Sequence, residues 1–241
     1  MKYLGGKTKI AAEIRDIILT TTPHRGRLIE PFMGAGSMTA ALSHHFALTK
    51  ASDTHEDLIM MWTSLQNGWE PPTEVSEQEY KDLKKAPPSP LRGFVGFGCS
   101  WGGKWFGGYA RGKTNLGTPR NFADEASRSV LKRIGSIKNT QFSIANYKTL
   151  SPMADDVVYA DPPYTGTTGY RDHFDHQEFW ATMTIWSRRG ATVFVSEYTA
   201  PESIPCIWQT TRTRDMKSKF TNAEQVTENL FLLRRDQDPK L

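Results

Sequence analysis

The stretch Arg27-Leu28-Ile29-Glu30-Pro31-Phe32-Met33-Gly34-Ala35-Gly36-Ser37 decides the fold. Residues 27–30 read as a short buried strand, 31–36 as a glycine turn, and Ser37 opens a helix expected over 37–46. Glycine tolerates positive φ and has no Cβ, so such a turn lets backbone approach a ligand closely. It is similar to a dinucleotide fingerprint but lacks the third glycine, and Gly-x-Gly turns alone are common. Next, 48–52 reads as a second strand ending at Asp53, and 56–66 as an amphipathic helix. An acid roughly 20 positions after such a turn commonly hydrogen-bonds ribose hydroxyls. The alternative is a solvent-facing Asp capping the helix from His55. Turn and acid together favour a nucleoside pocket, and the absence of a Walker lysine favours a nucleoside without a triphosphate.

Upstream, Ile10, Ile14, Ile17 and Ile18 predict a helix over 8–19, and 20–26 is a breaker stretch. A helix followed by β-α-β-α predicts an α/β fold with a parallel sheet and covering helices. The pattern then breaks. Residues 68–90 carry prolines and charge around one expected helix, 76–85, and 91–120 are rich in glycine and aromatics. Residues 70–133 are expected to form an inserted lobe, with a helix near 123–134 returning to a catalytic domain made of 1–69 and 134–241. The β/α pattern resumes with strands at 141–144 and 157–160, a helix at 177–188 and a strand at 192–196. Runs 207–211 and 229–233 read as a closing hairpin around the basic segment 212–219, and residues from 234 on as a polar tail.

A chain of 241 residues with a net charge of +4 and a pI near 9.0 can bury a sizeable core, and its charge permits a polyanionic partner without requiring one. Two cysteines, Cys99 and Cys206, give neither a metal-ligand spacing nor a disulfide framework. No apolar run follows Lys2 as in a signal peptide, and none is long enough to span a bilayer. The expectation is a cytoplasmic monomer with no metal and no membrane association.

After the apolar run 157–160 comes Asp161-Pro162-Pro163-Tyr164. Each proline fixes its own φ and restricts the residue before it, so carboxylate, carbonyls and ring are held in place. This stiff turn suits a flat, polar amino group and the ring that carries it. At the N-terminus, Tyr3-Leu4-Gly5-Gly6-Lys7 makes a poor phosphate loop, since it lacks the upstream glycine and a preceding strand.

Taken in order, Tyr-x-Gly-Gly-Lys, Pro-Phe-x-Gly-x-Gly, an Asp after the second strand and Asp-Pro-Pro-Tyr resemble the Dam-type adenine-N6 DNA methyltransferases of bacteriophages and bacteria. The resemblance implies a Rossmann-like, S-adenosylmethionine-dependent fold with a mixed seven-stranded sheet, an inserted DNA-recognition lobe and double-stranded DNA as partner. Carried onto matching positions, it implies cofactor contacts from Tyr3, Lys7, Pro31, Phe32, Gly34, Gly36, Asp53 and Asp161. Asn146 and Tyr147 join that set, although the family often has an Asp where Asn146 stands. Asp161, Pro162, Pro163 and Tyr164 would form the catalytic turn, with Lys7 over the cofactor's amino-acid carboxylate or else solvated at a flexible entry. The Asp form of the tetrapeptide resembles the adenine enzymes most.

Within the expected lobe, Lys104, Arg111, Lys113 and Arg120 are candidate DNA contacts, while Trp101 and Trp105 suit either base stacking or an aromatic mini-core. Arg212, Arg214, Lys217 and Lys219 either line a DNA cleft or cap a solvated hairpin. Residues 165–174, which include His173, are expected to close over a flipped base. Pro205-Cys206 reads as a buried structural cysteine rather than a nucleophile, and His44, His45, His173 and His176 make no convincing metal site.

Overall fold

The computed structural model describes residues 1, 3, 5–137, 139–164, 174–214 and 224–235, with backbone alone at 212–214 and 224. The first half of the chain forms Ala11–Thr21 (α1), Arg27–Glu30 (β1), Ser37–Leu42 (α2), Leu48–Asp53 (β2), Glu56–Gln66 (α3), Glu77–Lys85 (α4) and Pro90–Gly98 (α5). The second half forms Phe122–Ile137 (α6), Thr140–Ile144 (β3), Val157–Ala160 (β4), His176–Arg188 (α7), Thr192–Glu197 (β5), Cys206–Arg214 (β6) and Glu224–Leu233 (β7).

The strands make one seven-stranded mixed sheet in the order β3-β2-β1-β4-β5-β7-β6. All pairs from β3 to β5 are parallel, and β7 runs antiparallel to both β5 and β6. Strands buried on both faces read as continuous apolar runs, and β4 is buried at every position. Strand order reverses at β1, which pairs with β2 on one side and β4 on the other. In open α/β sheets, ligands bind outside the carboxyl ends of the strands at such a reversal.

One face of the sheet packs on α1 and α2, through Ile14, Ile18 and Leu42 against Leu28, Tyr159 and Phe194. The other packs on α7, through Phe179, Met183 and Trp186 against Val158 and Val195. A third cluster joins α3 to α5 and α6, with Trp62 and Leu58 against Phe94, Phe97 and Val130. Trp62, Trp186 and Tyr159 are fully buried. Each such side chain contributes roughly 1.5–3 kcal/mol, a large share of a domain's net stability.

Within the glycine- and aromatic-rich stretch 91–120, residues up to Gly98 belong to helix α5. Ser89 caps α5 by accepting the Arg92 amide at 3.1 Å, and Pro90 occupies the first turn, where its missing N–H costs nothing. The glycines then serve packing. A Cβ on Gly93 would stand 2.2 Å from the Asp57 carbonyl oxygen, and one on Gly96 would stand 2.2 Å from the Trp105 ring. Helix α5 therefore lies directly on α3. Asp57 locks the contact by accepting the Ser89 amide at 2.9 Å and the Arg92 guanidinium at 2.6 Å. Helix α4 carries a capping box between Ser76 and Glu79.

Other expectations shift at their edges. Helix α1 starts at Ala11 because residues 8–10 form turns. Strands β6 and β7 extend well past their apolar ends, because the ladder from Gln209↔Asn229 to Arg214↔Glu224 pairs residues that, Val226 apart, are polar and carry no hydrophobic alternation. Cys206 is exposed at the start of β6, which corrects the buried cysteine expected there. Its Sγ lies 3.2 Å from the Trp208 carbonyl oxygen. No helix among the described residues is long and apolar enough to cross a membrane. Nor do the described residues hold a group of three or more His, Cys, Asp or Glu side chains suited to a metal ion.

Candidate active site

The register Leu28↔Val157 and Ile29↔Val158 brings the carboxyl ends of β1 and β4 out side by side. The glycine turn after Glu30 and the Asp161–Tyr164 turn after Ala160 are therefore neighbours, although some 130 residues separate them in sequence.

Gly34 and Gly36 adopt φ of 50° and 65°. Added Cβ atoms would meet the Tyr3 ring at 3.0 Å and the Met33 methyl at 2.9 Å, so both positions need glycine on conformational and steric grounds. Pro31 is buried behind the turn, and Trp62 Nε1 donates to the Gly34 carbonyl at 3.3 Å. Asp53, at the end of β2, accepts the Gly34 amide on Oδ2 and the His55 amide on Oδ1, each at 2.9 Å. It thus starts α3 and fixes the turn at once. Burial pushes its carboxyl above the ordinary value, against the pull of those amides. His55 Nδ1 and Ser52 Oγ, beside it in sequence, are buried with no hydrogen-bond partner among the described residues.

At the second turn, Lys7 Nζ lies 2.9 Å from Asp161 Oδ1 and 3.5 Å from Glu228 Oε2, with Lys7 only 5% exposed. Burial draws the Lys7 ammonium down, but Asp161 and Glu228 together hold it above its ordinary value. Burial pushes the Asp161 carboxyl up against the pull of Lys7, and Glu228 adds to the rise. Tyr164 donates its hydroxyl to Glu228 at 2.9 Å, and its ring lies 4.4 Å from Lys7 Nζ and 4.5 Å from the Tyr198 ring. Burial keeps the Tyr164 phenol well above its ordinary value, so it remains a donor. Pro162 is buried and Pro163 half-buried.

Glu30, at the end of β1, is 2% exposed and accepts from Thr39. Burial raises it to about 8, with Asp161 and Asp53 adding to the rise.

Tyr3 and Lys7 line a cleft of about 540 Å³ together with Ala35, Arg133 and Glu228. Asp53, Phe32, Asn146, Tyr147 and Asp161 do not line it. Phe32 and Tyr147 pack on each other at 5.4 Å and on Phe174 and Phe179, with Tyr147 only 4% exposed. Burial pushes the Tyr147 phenol up to about 12. Asn146 turns its Oδ1 to the Lys148 amide at 3.0 Å.

Glu228 and Arg133 were missed from the sequence. Glu228 shares the alternation of Leu230 and Leu232 on β7, and Arg133 falls between Val130 and Ile137 on the buried side of α6. A charge placed in register with apolar residues is the one sequence signal either gives.

Of the candidate DNA contacts, Lys104 and Lys113 are exposed. Arg111 is also exposed but pairs with Glu77, and Arg120 pairs with Glu125 and lies 4.7 Å from the Phe122 ring. Trp105 belongs to an aromatic mini-core with His55, Phe97 and Phe106, whereas Trp101 is 60% exposed. His173, Lys217, Lys219 and residues 165–173 of the expected closing segment lie outside the described residues, and Arg212 and Arg214 are described by backbone alone.

Residues 3–89 match the family model of the D12 class N6 adenine-specific DNA methyltransferases, a span that ends before the Asp161 turn. This agrees with the resemblance carried by Tyr3 to Asp53 and supports a methyltransferase that takes S-adenosylmethionine. No curated protein matches the chain. Among solved structures, it is similar to a Synechocystis magnesium protoporphyrin IX methyltransferase with bound SAM, at 10% identity, covering 96% of this chain and 80% of that one, with a TM-score of 0.40. It is also similar to an rRNA methylase of Streptococcus thermophilus (12% identity, 92% and 95% covered, TM-score 0.36). A third is the precorrin-6y C5,15-methyltransferase of Geobacter metallireducens (8% identity, 92% and 87% covered, TM-score 0.38).

Proposed function

We propose that the protein methylates adenine N6 in double-stranded DNA at a specific sequence, with residues 1–69 and 134–241 as the catalytic domain and 70–133 as the target-recognition lobe. The observation that carries this is the Asp161–Tyr164 turn beside the glycine turn at the point where strand order reverses.

The residues present fit S-adenosylmethionine. Gly34 and Gly36 let the turn take the positive φ that holds it tight against Tyr3 and Met33, and Asp53, a carboxyl group fixed by two amides, suits ribose hydroxyls. The partnerless polar atoms of Ser52 and His55 lie within two residues of it. Tyr3 stands over Gly34 and narrows the turn from the other side. When bound, the cofactor supplies an activated methyl group on sulfur, so no covalent enzyme nucleophile is required.

The chain's task is then to hold N6 in line and aim its lone pair. Asp161 accepts one N6–H and the Pro162 carbonyl the other. Both stabilise the positive charge that develops on nitrogen. Lys7, already shared between Asp161 and Glu228, opposes the burial that raises the Asp161 carboxyl and holds that carboxyl in place. Tyr164 stacks on the base while Glu228 fixes the ring through its hydroxyl. A base inside a duplex cannot reach this turn, so it is flipped out at a cost of a few kcal/mol. Stacking on Tyr164 returns about 1–3 kcal/mol. Lys104 and Lys113, with Arg111 and Arg120, contact phosphates along the lobe.

The test is a competition of duplex DNA, RNA and protein substrates for labelled S-adenosylmethionine. Label in adenine N6 of duplex DNA supports the proposal. Protein that binds the cofactor but labels no DNA of any sequence, or that labels RNA or protein instead, defeats it.

A further inference from the structure

Three cationic side chains line the cleft beside the glycine turn, Lys7, Lys9 and Arg133, together with the Met1 amino group, which burial and Arg133 draw down to about 5. Lys7, the residue the sequence would assign to the cofactor's carboxylate, is already engaged by Asp161 and Glu228. Lys9 is exposed to solvent. Arg133 differs from both. It is half-buried on α6, donates from Nη1 to the Ala35 carbonyl, and reaches Thr8 Oγ1 from Nη2 at 3.4 Å. Both acceptors are neutral. Among the described residues no carboxylate lies within ion-pair distance of its guanidinium. The other cleft carboxylates, Glu228 and Glu125, are paired with Lys7 and Arg120.

Burial draws the Arg133 guanidinium down, and the opposing charge that acts on it is Glu30. Glu30 is itself pushed up to about 8 by burial, so at neutral pH it is mostly protonated and offsets little. A cation taken out of water without a counter-charge is costly. Here it persists at the mouth of a cleft, tied to the middle residue of Gly34-Ala35-Gly36. A guanidinium carries five donors in a planar fork that matches a carboxylate, and two are spoken for.

We infer that Arg133 is the receptor for the amino-acid carboxylate of S-adenosylmethionine, the one anionic group that cofactor carries. The inference rests on the cofactor reading above and not on the choice of DNA as target. The nucleoside end then faces Asp53 and the amino-acid end enters the cleft past Ala35. Helix α6 returns from the inserted segment, so one helix carries both the end of the insert and a cofactor contact.

The experiment measures binding by calorimetry, for S-adenosylmethionine and its decarboxylated analogue, to the wild-type protein and to Arg133→Gln and Arg133→Lys, with thermal unfolding to verify folding. Wild type is expected to prefer the carboxylated ligand by about 10–100-fold, the worth of a charge-assisted hydrogen bond or two. Arg133→Gln loses most of that preference with little change for the analogue, and Arg133→Lys restores part of it. Equal weakening of both ligands, or of neither, overturns the inference while leaving the cofactor reading intact. If Arg133→Gln instead weakens cofactor-free duplex DNA and keeps the ligand preference, the guanidinium serves a phosphate and the inference is wrong. Wild type that binds neither ligand defeats the cofactor reading and the inference with it. A Gln variant that fails to fold hands the decision to Arg133→Lys, whose preference must fall below wild type.

Discussion

At the 161–164 turn, the cation Lys7 sits between two carboxylates with 5% of its side chain exposed. In the 104–120 loop, the cation Arg111 also meets a carboxylate, Glu77, but with 67% of its side chain exposed. The two ion pairs look alike on paper and differ in consequence. Removing one partner of a buried pair leaves a charge stranded in low dielectric, whereas an exposed pair is worth roughly 0–1 kcal/mol and is screened by salt. The first region is built to fix geometry. The second leaves its side chains able to exchange a protein partner for a phosphate.

The largest test of that contrast is Asp161→Ala. It removes the acceptor and strands Lys7 with Glu228 alone. Transfer should fall by at least about 10²-fold, as when a preorganised polar contact to the reacting group is lost. Circular dichroism should remain native. Retained turnover would end the role assigned to Asp161.

A stability measurement isolates burial itself. Folded Glu30 titrates near 8 against an ordinary 4.5. Between those values the folded protein keeps a proton that the unfolded chain has released, so stability falls as pH rises from about 4.5 to about 8 and then levels off. Glu30→Gln should flatten that decline by about 5 kcal/mol at most, read from unfolding midpoints across the range. A slope unchanged in the variant would assign the pH dependence elsewhere.

Glu228→Gln keeps an acceptor for Tyr164 but removes a charge beside Lys7. We expect kcat to drop about tenfold with cofactor affinity unchanged, an effect near 1.4 kcal/mol. Equal losses in cofactor binding would make Glu228 a structural residue only.

The smallest effects belong to the loop. Lys104→Ala and Lys113→Ala should each lower the salt slope of DNA binding by about 1. Arg111→Ala should change protein stability by less than about 1 kcal/mol. If the lysine variants bind duplex DNA with the wild-type salt dependence, the loop is not the phosphate contact.

The same contrast explains what the residues revealed in advance. Strands β4 and β5 were legible because burial on both faces writes itself as apolar runs, and β1 and β2, which carry Arg27 and Lys50, because a glycine turn and a helix lie between them. The glycine turn was legible because Gly34 and Gly36 answer a local demand of φ and space. Helix α5 was not legible. Gly93 and Gly96 look like breakers, and only the approach of Asp57 and Trp105 shows why a helix needs them. Trp105 was undecided until His55, 50 positions earlier, was found against its ring. Glu228 and Arg133 stayed hidden because their roles depend on partners from other elements. The ladder that sets Glu228 beside Tyr164 is a property of the sheet and not of its neighbours in sequence.

Asp53 carries one more consequence. A carboxylate accepts at about four lone-pair positions, and Gly34 and His55 occupy one on each oxygen. On the proposed cofactor reading, ribose hydroxyls arriving there would join the existing set and displace neither amide. The conformational entropy of ordering the turn is spent during folding, so little of the binding free energy is diverted to it. On that reading recognition at Asp53 is additive and exchanges no partner, and association should be limited by encounter and not by rearrangement of the turn.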